Sequence, residues 1–286
     1  MRRWMITCLG ILVCTGAMAQ TYPASSLLWQ IEGPGMTKPS WLFGTFHLIC
    51  QKDFAVSDTL KHKLQAAARF YGELKMDDPS LQLRLMGKMM LKDTTLSALI
   101  PAKERDSVSV VFQRITGFPF SAMNRFKPFL PLSLLMTKAI SCAEVIQPES
   151  AFVEIAKANG DSIMGLESAE DQLAAVDKIP LDSQIQSLTR SILRFDSVRL
   201  EQEALTKVYL QRNIDSLYRY MQSNGLDHDF ENALLDERNR TWIPVMEKAM
   251  REASCFFAVG AGHLGGSEGV ISLLRKKGYT VTPLNF

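Results

Sequence analysis

Two histidines lie in the same short sequence context at opposite ends of the chain. His47 closes the segment 44–47, Gly-Thr-Phe-His, and His263 closes the segment 260–263, Gly-Ala-Gly-His. Each segment follows an apolar run that is typical of a buried strand. A neutral imidazole can act as a general base or as a ligand for a first-row metal ion. Because the chain has only four histidines, the repeated context indicates that these two share one site.

Glycines introduce both histidine segments. Gly44, Gly260 and Gly262 let the backbone turn sharply, or let another backbone or a ligand approach closely. A histidine just beyond the carboxyl end of a strand lies where open α/β sheets bind ligands. We therefore expect the two preceding strands to be neighbours and these glycines to contribute to substrate binding. His62 and His228 lie in charged helical sequence and are expected to face solvent.

Glu73 is the third candidate, in the segment 70–76, which otherwise alternates like a strand. A carboxylate there needs solvent, a cation or a ligand, since burying it unpaired is costly. It is either an ordinary solvent-facing strand residue or part of the histidine site. Two imidazoles and one carboxylate form a familiar set for a first-row divalent ion and leave positions open for water or substrate. In that site Glu73 is a metal ligand or the general base.

A charged run, Glu-Arg-Asn-Arg at 237–240, falls on a late helical segment. Such a run is usually a solvated helix face. Alternatively, Arg238 orients Glu73 or clamps a substrate carbonyl or carboxylate through paired hydrogen bonds. The glycine-rich loop after residue 259 lacks both the Lys-Ser/Thr ending of a P-loop and the spacing of a dinucleotide fingerprint. The sequence therefore does not predict nucleotide binding.

The N-terminus has the layout of a secretory signal peptide. Arg2 and Arg3 precede an apolar stretch, and a small-x-small site at 17–19 predicts cleavage after Ala19. The apolar stretch is too short to span a bilayer, and we expect no transmembrane helix in the remainder. Residues 1–19 are thus predicted as the signal and 20–286 as a single exported domain, periplasmic or secreted.

Composition narrows the partners and the redox chemistry. The chain is 47% hydrophobic, with 32 Lys and Arg against 30 Asp and Glu. Loss of the signal removes Arg2 and Arg3 and leaves equal numbers of basic and acidic residues. The predicted mature chain therefore has no net positive charge that would favour binding of nucleic acid. Cys50, Cys142 and Cys255 remain after cleavage, and an oxidising compartment permits a disulfide. Because Cys255 begins an apolar, strand-like run, we leave it as the free thiol and expect Cys50 to pair with Cys142.

Strand-like segments lie near both ends of the chain, and helical patterns fill most of the sequence between them. The helical stretch 182–221 is expected to break near 212–213, and Pro244 to interrupt the last long helix. Strands are predicted at 27–31, 40–43, 70–76, 162–166, 255–259 and 279–283. The fold class is therefore α/β (α+β), a small central sheet built from N- and C-terminal strands with a large helical insertion.

The chain also resembles the TraB/GumN family along essentially all of its length from about residue 26. The resemblance rests on the opening hairpin ending at His47, on Gly-Glu-Leu at 72–74, on Gly-Leu-Glu-Ser at 165–168 and on Glu-Arg-Asn at 237–239. It is most specific over 258–264, Ala-Val-Gly-Ala-Gly-His-Leu. The third of these segments has Ser where the family pattern has Thr.

This resemblance implies a metal-dependent hydrolase. In Tiki-like members of the family, the two Gly-x-x-His histidines and a glutamate are implicated in metal-dependent peptide cleavage. By motif these residues match His47, His263 and Glu73, with Mn or Co favoured and Zn also considered. Arg238 and Asn239 match a family position, which makes them candidates for catalysis and substrate binding respectively. The expected substrate is a peptide or a small acyl compound.

Two other readings stay open at the level of sequence. Related folds include haem-binding ChaN-like proteins and erythromycin-esterase-like enzymes. The chain is therefore alternatively a non-catalytic protein that binds haem, metal or peptide, or a metal-free esterase that uses histidine as its base. Oligomeric state is not predicted.

Overall fold

The computed structural model describes residues 24–224 and 228–286 of the chain, except for the side chains of residues 228 and 229. The signal peptide predicted for residues 1–19 and the predicted exposure of the His228 side chain lie outside this described part. Among the described residues, no helix combines the length and the hydrophobicity that crossing a membrane requires.

A mixed six-stranded sheet forms the centre of the fold. The strands of the described chain are β1 (Leu28–Glu32), β2 (Ser40–Thr45), β3 (Ile49–Cys50), β4 (Arg69–Gly72), β5 (Val145–Ile146), β6 (Ser162–Gly165), β7 (Cys255–Gly260) and β8 (Thr280–Leu284). The strand order in the sheet is β6-β4-β7-β2-β1-β8, and β3 and β5 pair separately as a short two-stranded ladder. The predicted fold class is confirmed, because both chain ends supply strands of one sheet. The intervening sequence adds β4 and β6 at one edge.

The sheet places the ends of the two histidine strands side by side. β2 and β7 are parallel neighbours, with Thr45 opposite Gly260. β4 is parallel to both β7 and β6. Every residue of β2 and of β7 is buried, which is the pattern of central strands covered on both faces. The carboxyl ends of four parallel strands therefore meet at one edge of the sheet.

Helices cover the sheet and build the insertion. The described helices are α1 (Asp58–Ala66), α2 (Leu81–Lys88), α3 (Leu96–Leu99), α4 (Ala102–Thr116), α5 (Phe129–Lys138), α6 (Pro148–Asn159), α7 (Ala169–Asp177), α8 (Leu181–Leu193), α9 (Phe195–Leu210), α10 (Ile214–Ser223), α11 (His228–Glu231), α12 (Glu237–Glu252) and α13 (Val270–Lys276). A π-helical turn, Asn232–Asp236, leads into α12. Such turns widen the helix locally and are frequent at functional sites.

The predicted strand 70–76 is wrong beyond Gly72. β4 ends at Gly72, so Glu73 follows the strand and does not interrupt it. The chain turns closely there, since a Cβ added at Gly72 would lie 3.0 Å from the carbonyl oxygen of Leu74. Glu73 thereby gains the same position relative to β4 that the histidine segments have relative to β2 and β7.

The helix breaks also differ from the prediction. Pro244 lies inside α12 and does not interrupt it. Pro244 is exposed, whereas Trp242, Ile243 and Met246 stay buried on the other face, so packing holds the helix together across the missing hydrogen bond. The stretch 182–221 has its expected break near residue 212 and a second one at Arg194, between α8 and α9.

Two hydrophobic clusters hold the described chain. The larger one surrounds the sheet and includes Phe43, Phe70, Phe256 and Trp242. The smaller one lies within the insertion, around Phe112. The insertion therefore has apolar packing of its own, and its helices α5, α9 and α10 contribute side chains to a cavity at the edge of the sheet where the candidate residues gather.

Candidate functional site

A cavity of about 640 Å³ opens at the carboxyl ends of β2, β4 and β7. The predicted residues that line it are His47, Glu73, Arg238, Gly260, Gly262 and His263. Strand register explains this gathering, because Thr45 and Gly260 are directly paired and each begins the turn that carries a histidine. Residues far apart in the sequence thus face one space.

Glu73 is the centre of the cluster. Its Oε1 atom lies 3.8 Å from Nε2 of His47 and 3.8 Å from Nε2 of His263. The backbone N–H of Gly260 donates to Oε1 at 2.8 Å, and Nη2 of Arg238 donates to Oε2 at 2.6 Å. Burial raises the pKa of Glu73, but electrostatic interactions with His263, His47 and Arg238 and the Gly260 hydrogen bond outweigh it and lower the pKa to about 2. Glu73 is therefore a carboxylate at neutral pH.

His263 is buried and held in one tautomer. Its Nδ1 lies 2.7 Å from Oδ1 of Asn239, whose own Nδ2 donates to the carbonyl oxygen of Glu268 at 2.9 Å. That second bond fixes which amide atom faces the ring, so Nδ1 carries the proton. Nε2 keeps a lone pair, and Nη1 of Arg238 lies 3.2 Å from it. Burial is the main cause that lowers the pKa of His263, to about 3. The ring also lies 4.3 Å from the Trp242 ring, between centroids.

His47 has the opposite environment. Its side chain is 64% exposed, toward the cavity. Its Nδ1 lies 2.8 Å from Oε1 of Glu149, which also accepts a hydrogen bond from Thr45 Oγ1 at 2.6 Å. Desolvation by the surrounding protein lowers the pKa of His47, but the Glu149 hydrogen bond and the charge of Glu73 raise it overall to about 9. At neutral pH and without a metal ion, His47 is therefore an imidazolium paired with Glu149.

Arg238 joins two carboxylates. Besides Glu73, it donates from Nη2 and Nε to Oε1 of Glu167 at 2.6 and 3.1 Å. Its Nη1 donates to the carbonyl oxygen of Leu234 at 2.8 Å and lies 3.2 Å from Nε2 of His263. These contacts commit the guanidinium to protein groups. Of the two roles expected for Arg238, the geometry accommodates orientation of Glu73 and leaves no free donor pair to clamp a substrate.

Two predicted substrate-binding residues lie away from the cavity wall. Asn239 is almost fully buried behind His263, so its side chain contacts the ring and does not line the cavity. Gly44 is buried where the two histidine loops touch, and a Cβ there would meet Ala261 and Leu264 at 3.1 Å. Its lack of a side chain serves this close approach of the loops.

Glu149, Thr45 and Tyr209 are site residues that the sequence analysis missed. Glu149 follows Pro148 at the start of α6. In the sequence it is indistinguishable from an ordinary acidic residue in the first turn of a helix. The hydroxyl of Tyr209, on α9, donates to the carbonyl oxygen of Gly44 at 3.0 Å. No local signal in the sequence identifies either contact, because each joins the His47 segment to a helix more than 100 positions away.

The predicted cysteine pair lies next to this network. The structure joins Cys50 and Cys142 in a disulfide with Cα atoms 6.0 Å apart, and Cys255 is buried and free. Beside the disulfide, β3 pairs with β5, with Cys50 opposite Val145. These links fix the chain shortly after His47 to the chain shortly before Glu149. His62, expected to face solvent, is exposed on α1.

The chemistry of the donors fits a divalent ion. Both histidines have Nδ1 bound to a fixed acceptor, as metal-binding histidines usually do, and both present Nε2 to the same carboxylate oxygen. Within the described residues, however, no group of three or more His, Cys, Asp or Glu side chains is arranged so that it could hold a metal ion. The nearest competing cation is Arg238, beside His263 Nε2.

Comparison with known proteins gives a consistent family. The TraB/PrgY/gumN family model matches residues 27–283. The chain is 22% identical to a protein of Danio rerio named metalloprotease TIKI2, over 90% of this chain and 60% of that protein. It is 23% identical to a metalloprotease TIKI homolog of Amphimedon queenslandica, over 91% of this chain and 62% of the relative. The chain thus spans about three fifths of the length of these relatives. No solved structure matches it.

Proposed function

The chain belongs to the TraB/PrgY/gumN family, and we propose that it is an exported metal-dependent hydrolase, peptidase-like in its chemistry, that acts on a peptide or small acyl substrate. His47, His263 and Glu73 would hold the divalent ion, Mn, Co or Zn. One observation carries this proposal: two imidazole Nε2 atoms face a single Glu73 oxygen while both Nδ1 atoms are held by other residues.

The ion, when bound, would polarise the scissile carbonyl and lower the pKa of a water molecule. The protein's own residues prepare the ligands. Asn239 fixes His263 as the tautomer whose Nε2 is unprotonated, and Glu149 orients the ring of His47. Arg238 and the Gly260 N–H hold Glu73 ionised. A carboxylate with a pKa of about 2 is a weak general base, so of the two roles expected for Glu73 we favour that of a ligand.

The names of the relatives support the same reaction class. Both are called metalloproteases, and the alignments with them cover nine tenths of this chain. Because the chain covers only about three fifths of each relative, their substrates are not assigned to it, and the identity of its substrate is left to experiment. Release by a signal peptide and a periplasmic or secreted location are likewise parts of the proposal.

Removal of either histidine is the direct test. We expect His47→Ala and His263→Ala to weaken metal binding by more than about 100-fold, the upper range for groups that only orient a ligand. Elemental analysis of purified protein, with add-back of Mn, Co and Zn in a peptidase assay, measures this. The matched control is His62→Ala, an exposed histidine on α1, which should keep full metal content and activity. Unchanged metal content in both site variants would refute the ligand assignment.

One observation favours a second candidate, a metal-free hydrolase. Arg238 already places a permanent cation 3.2 Å from His263 Nε2, beside the atom that the first candidate assigns to a metal ion, so the protein itself supplies the positive charge next to this ring. Activity that survives exhaustive chelation, and that Arg238→Lys reduces, would support this candidate over the first.

A further inference from the structure

The cavity has two unlike walls. The sheet edge supplies the charged groups described above. The opposite wall comes from the helical insertion and the π-helical turn, and it is apolar. Side chains on this wall, hereafter the apolar wall, are Phe129, Met136, Leu205, Met221, Leu234 and Leu235. Whatever enters the cavity to reach the histidines lies against this surface.

Charged groups in the cavity are already committed to protein partners. Glu73 is paired with Arg238, Arg238 is also paired with Glu167, and Glu149 is paired with His47. The other polar side chains of the lining, such as Gln172 and Gln202, are neutral. A charged substrate group placed against the apolar wall would lose its hydration without gaining a counter-charge, which is costly.

The apolar wall extends up to the reacting centre. A Cβ added at Gly262 would lie 3.0 Å from Cε of Met221 and 3.7 Å from Cδ2 of Leu235. Gly262 immediately precedes His263, so an apolar group on this wall is one residue from a proposed ligand. Methionine side chains are flexible and adapt to differently shaped apolar partners, and two of the six wall residues are methionines.

We propose that this site selects substrates in which a bulky, uncharged apolar group flanks the scissile carbonyl. The selection rests on the proposed hydrolase function and assigns its substrate class. The apolar group can be a hydrophobic peptide side chain or an alkyl chain, since both present the same chemistry to the wall. Burial of that group supplies binding energy in proportion to the apolar area removed from water.

Hydrolysis of matched substrates tests the selection. Fluorogenic peptide amides with Leu or Phe next to the scissile bond are compared with those carrying Asp or Lys, and with a dodecanoyl amide as the alkyl source. We expect kcat/KM for the apolar peptides to exceed that for the charged ones by about tenfold or more. Preference for the dodecanoyl amide over every peptide would identify an alkyl chain as the source. Equal rates for apolar and charged peptides would overturn the proposal.

A pair of near-isosteric variants assigns the preference to the wall. Met136→Gln with Met221→Gln makes the wall polar, and Met86→Gln is the control, because Met86 is exposed on α2 outside the cavity. The double variant should lose about tenfold in kcat/KM for Leu and Phe peptides and little for Asp and Lys peptides. The control should match the parent protein. A loss shared by all substrates would contradict the assignment.

Binding of Nile red, a neutral apolar dye, separates this inference from the hydrolase proposal. The native protein should bind the dye, a Leu-rich peptide amide should displace it, and the double variant should bind about tenfold more weakly than the Met86→Gln control. Dye binding with no hydrolysis of any substrate would contradict the hydrolase proposal and support the apolar binding site. Hydrolysis without this dye response would contradict the apolar binding site and support the hydrolase proposal.

Discussion

The two Gly-x-x-His loops share a sequence pattern and have opposite environments. His263 is buried against Asn239 and Trp242, and burial lowers its pKa to about 3. His47 faces the cavity beside Glu149, and its pKa is raised to about 9. The pattern sets where each ring lies, at the end of a parallel strand. The protonation state of each ring is set by a helix that lies elsewhere in the sequence.

The supports of the two loops differ in the same way. The loop of His263 is held by α12, which contributes Arg238, Asn239 and Trp242 in two adjacent turns. The loop of His47 depends on Glu149 at the start of α6 and on Tyr209 on α9. One ring is therefore fixed within the core, and the other is fixed by contacts at the cavity edge.

The largest expected effect comes from adding a side chain where the backbone of the His263 loop approaches the His47 ring. Gly260→Ala would place a Cβ 3.0 Å from Nε2 of His47 and 3.2 Å from Oε1 of Glu73. The backbone at Gly260, with φ −52° and ψ 133°, accepts alanine, so the clash falls on the site. We expect activity to fall about 100-fold, the loss that a misplacement of about 1 Å can cause, with the fold retained. Steady-state kinetics and circular dichroism measure the two.

Gly87→Ala is the matched control for that substitution. Gly87 lies within α2, and a Cβ there would meet nothing within 4 Å. Alanine in a helix interior is more favourable than glycine by about 0.5–1 kcal/mol, so this variant should be slightly more stable and fully active. Normal activity in Gly260→Ala would show that the distances from Gly260 to His47 and Glu73 are not critical.

Much of the site could be predicted from sequence because strand ends leave local signals. Apolar runs followed by Gly identify β2 and β7, and their equal patterns place His47 and His263 together. Glu73 is predicted within a strand, but β4 ends one residue before it. The prediction fails because the segment 70–76 keeps alternating like a strand and gives no clear sign of the close turn after Gly72. The charged run at 237–240 offered Arg238 as a residue that orients Glu73, and the family resemblance, now confirmed by the match over residues 27–283, pointed to the same residue.

The groups that surround these residues could not be predicted. Glu149 and Tyr209 reach the His47 loop only through the packing of α6 and α9 on the sheet, which no periodicity encodes. Asn239 was expected to bind substrate, whereas α12 turns it inward to His263. The periodicity of the sequence predicts which face of a helix is buried. It does not predict which polar atom that face contacts, because this depends on how the helix packs against the sheet.

A medium effect is expected from removing the charge that distinguishes the two loops. Glu149→Gln retains a hydrogen-bonding side chain beside His47 and removes the carboxylate that raises its pKa. We expect metal affinity to fall about tenfold, as for other groups that orient a ligand. Isothermal titration with Mn²⁺ measures the change. Glu154→Gln, an exposed glutamate on the same helix, is the control, and equal affinity in both variants would argue against an orienting role for Glu149.

The smallest expected effect is on the pH dependence of stability, and it has opposite signs at the two rings. The folded-state pKa of His263 is about 3, below the unfolded value of 6.5, so the unfolded chain binds the extra proton and stability falls as pH drops below 6.5. The slope approaches about 1.4 kcal/mol per pH unit for one proton. The folded-state pKa of His47 is about 9, so its contribution is complete below pH 6.5 and is lost as pH rises through 9.

Urea unfolding of the metal-free protein across pH 5 to 9 separates these contributions. Between pH 6.5 and 5 the slope should disappear in His263→Gln and persist in His47→Gln, because His47 is protonated in both states there. Between pH 6.5 and 9 the fall in stability should disappear in His47→Gln instead. Glu73, with a folded pKa of about 2 against an ordinary value of 4.5, destabilises the fold only at lower pH and leaves both windows clear. If His263→Gln kept the acid slope, the buried ring would not be the neutral, singly protonated group that its contacts indicate.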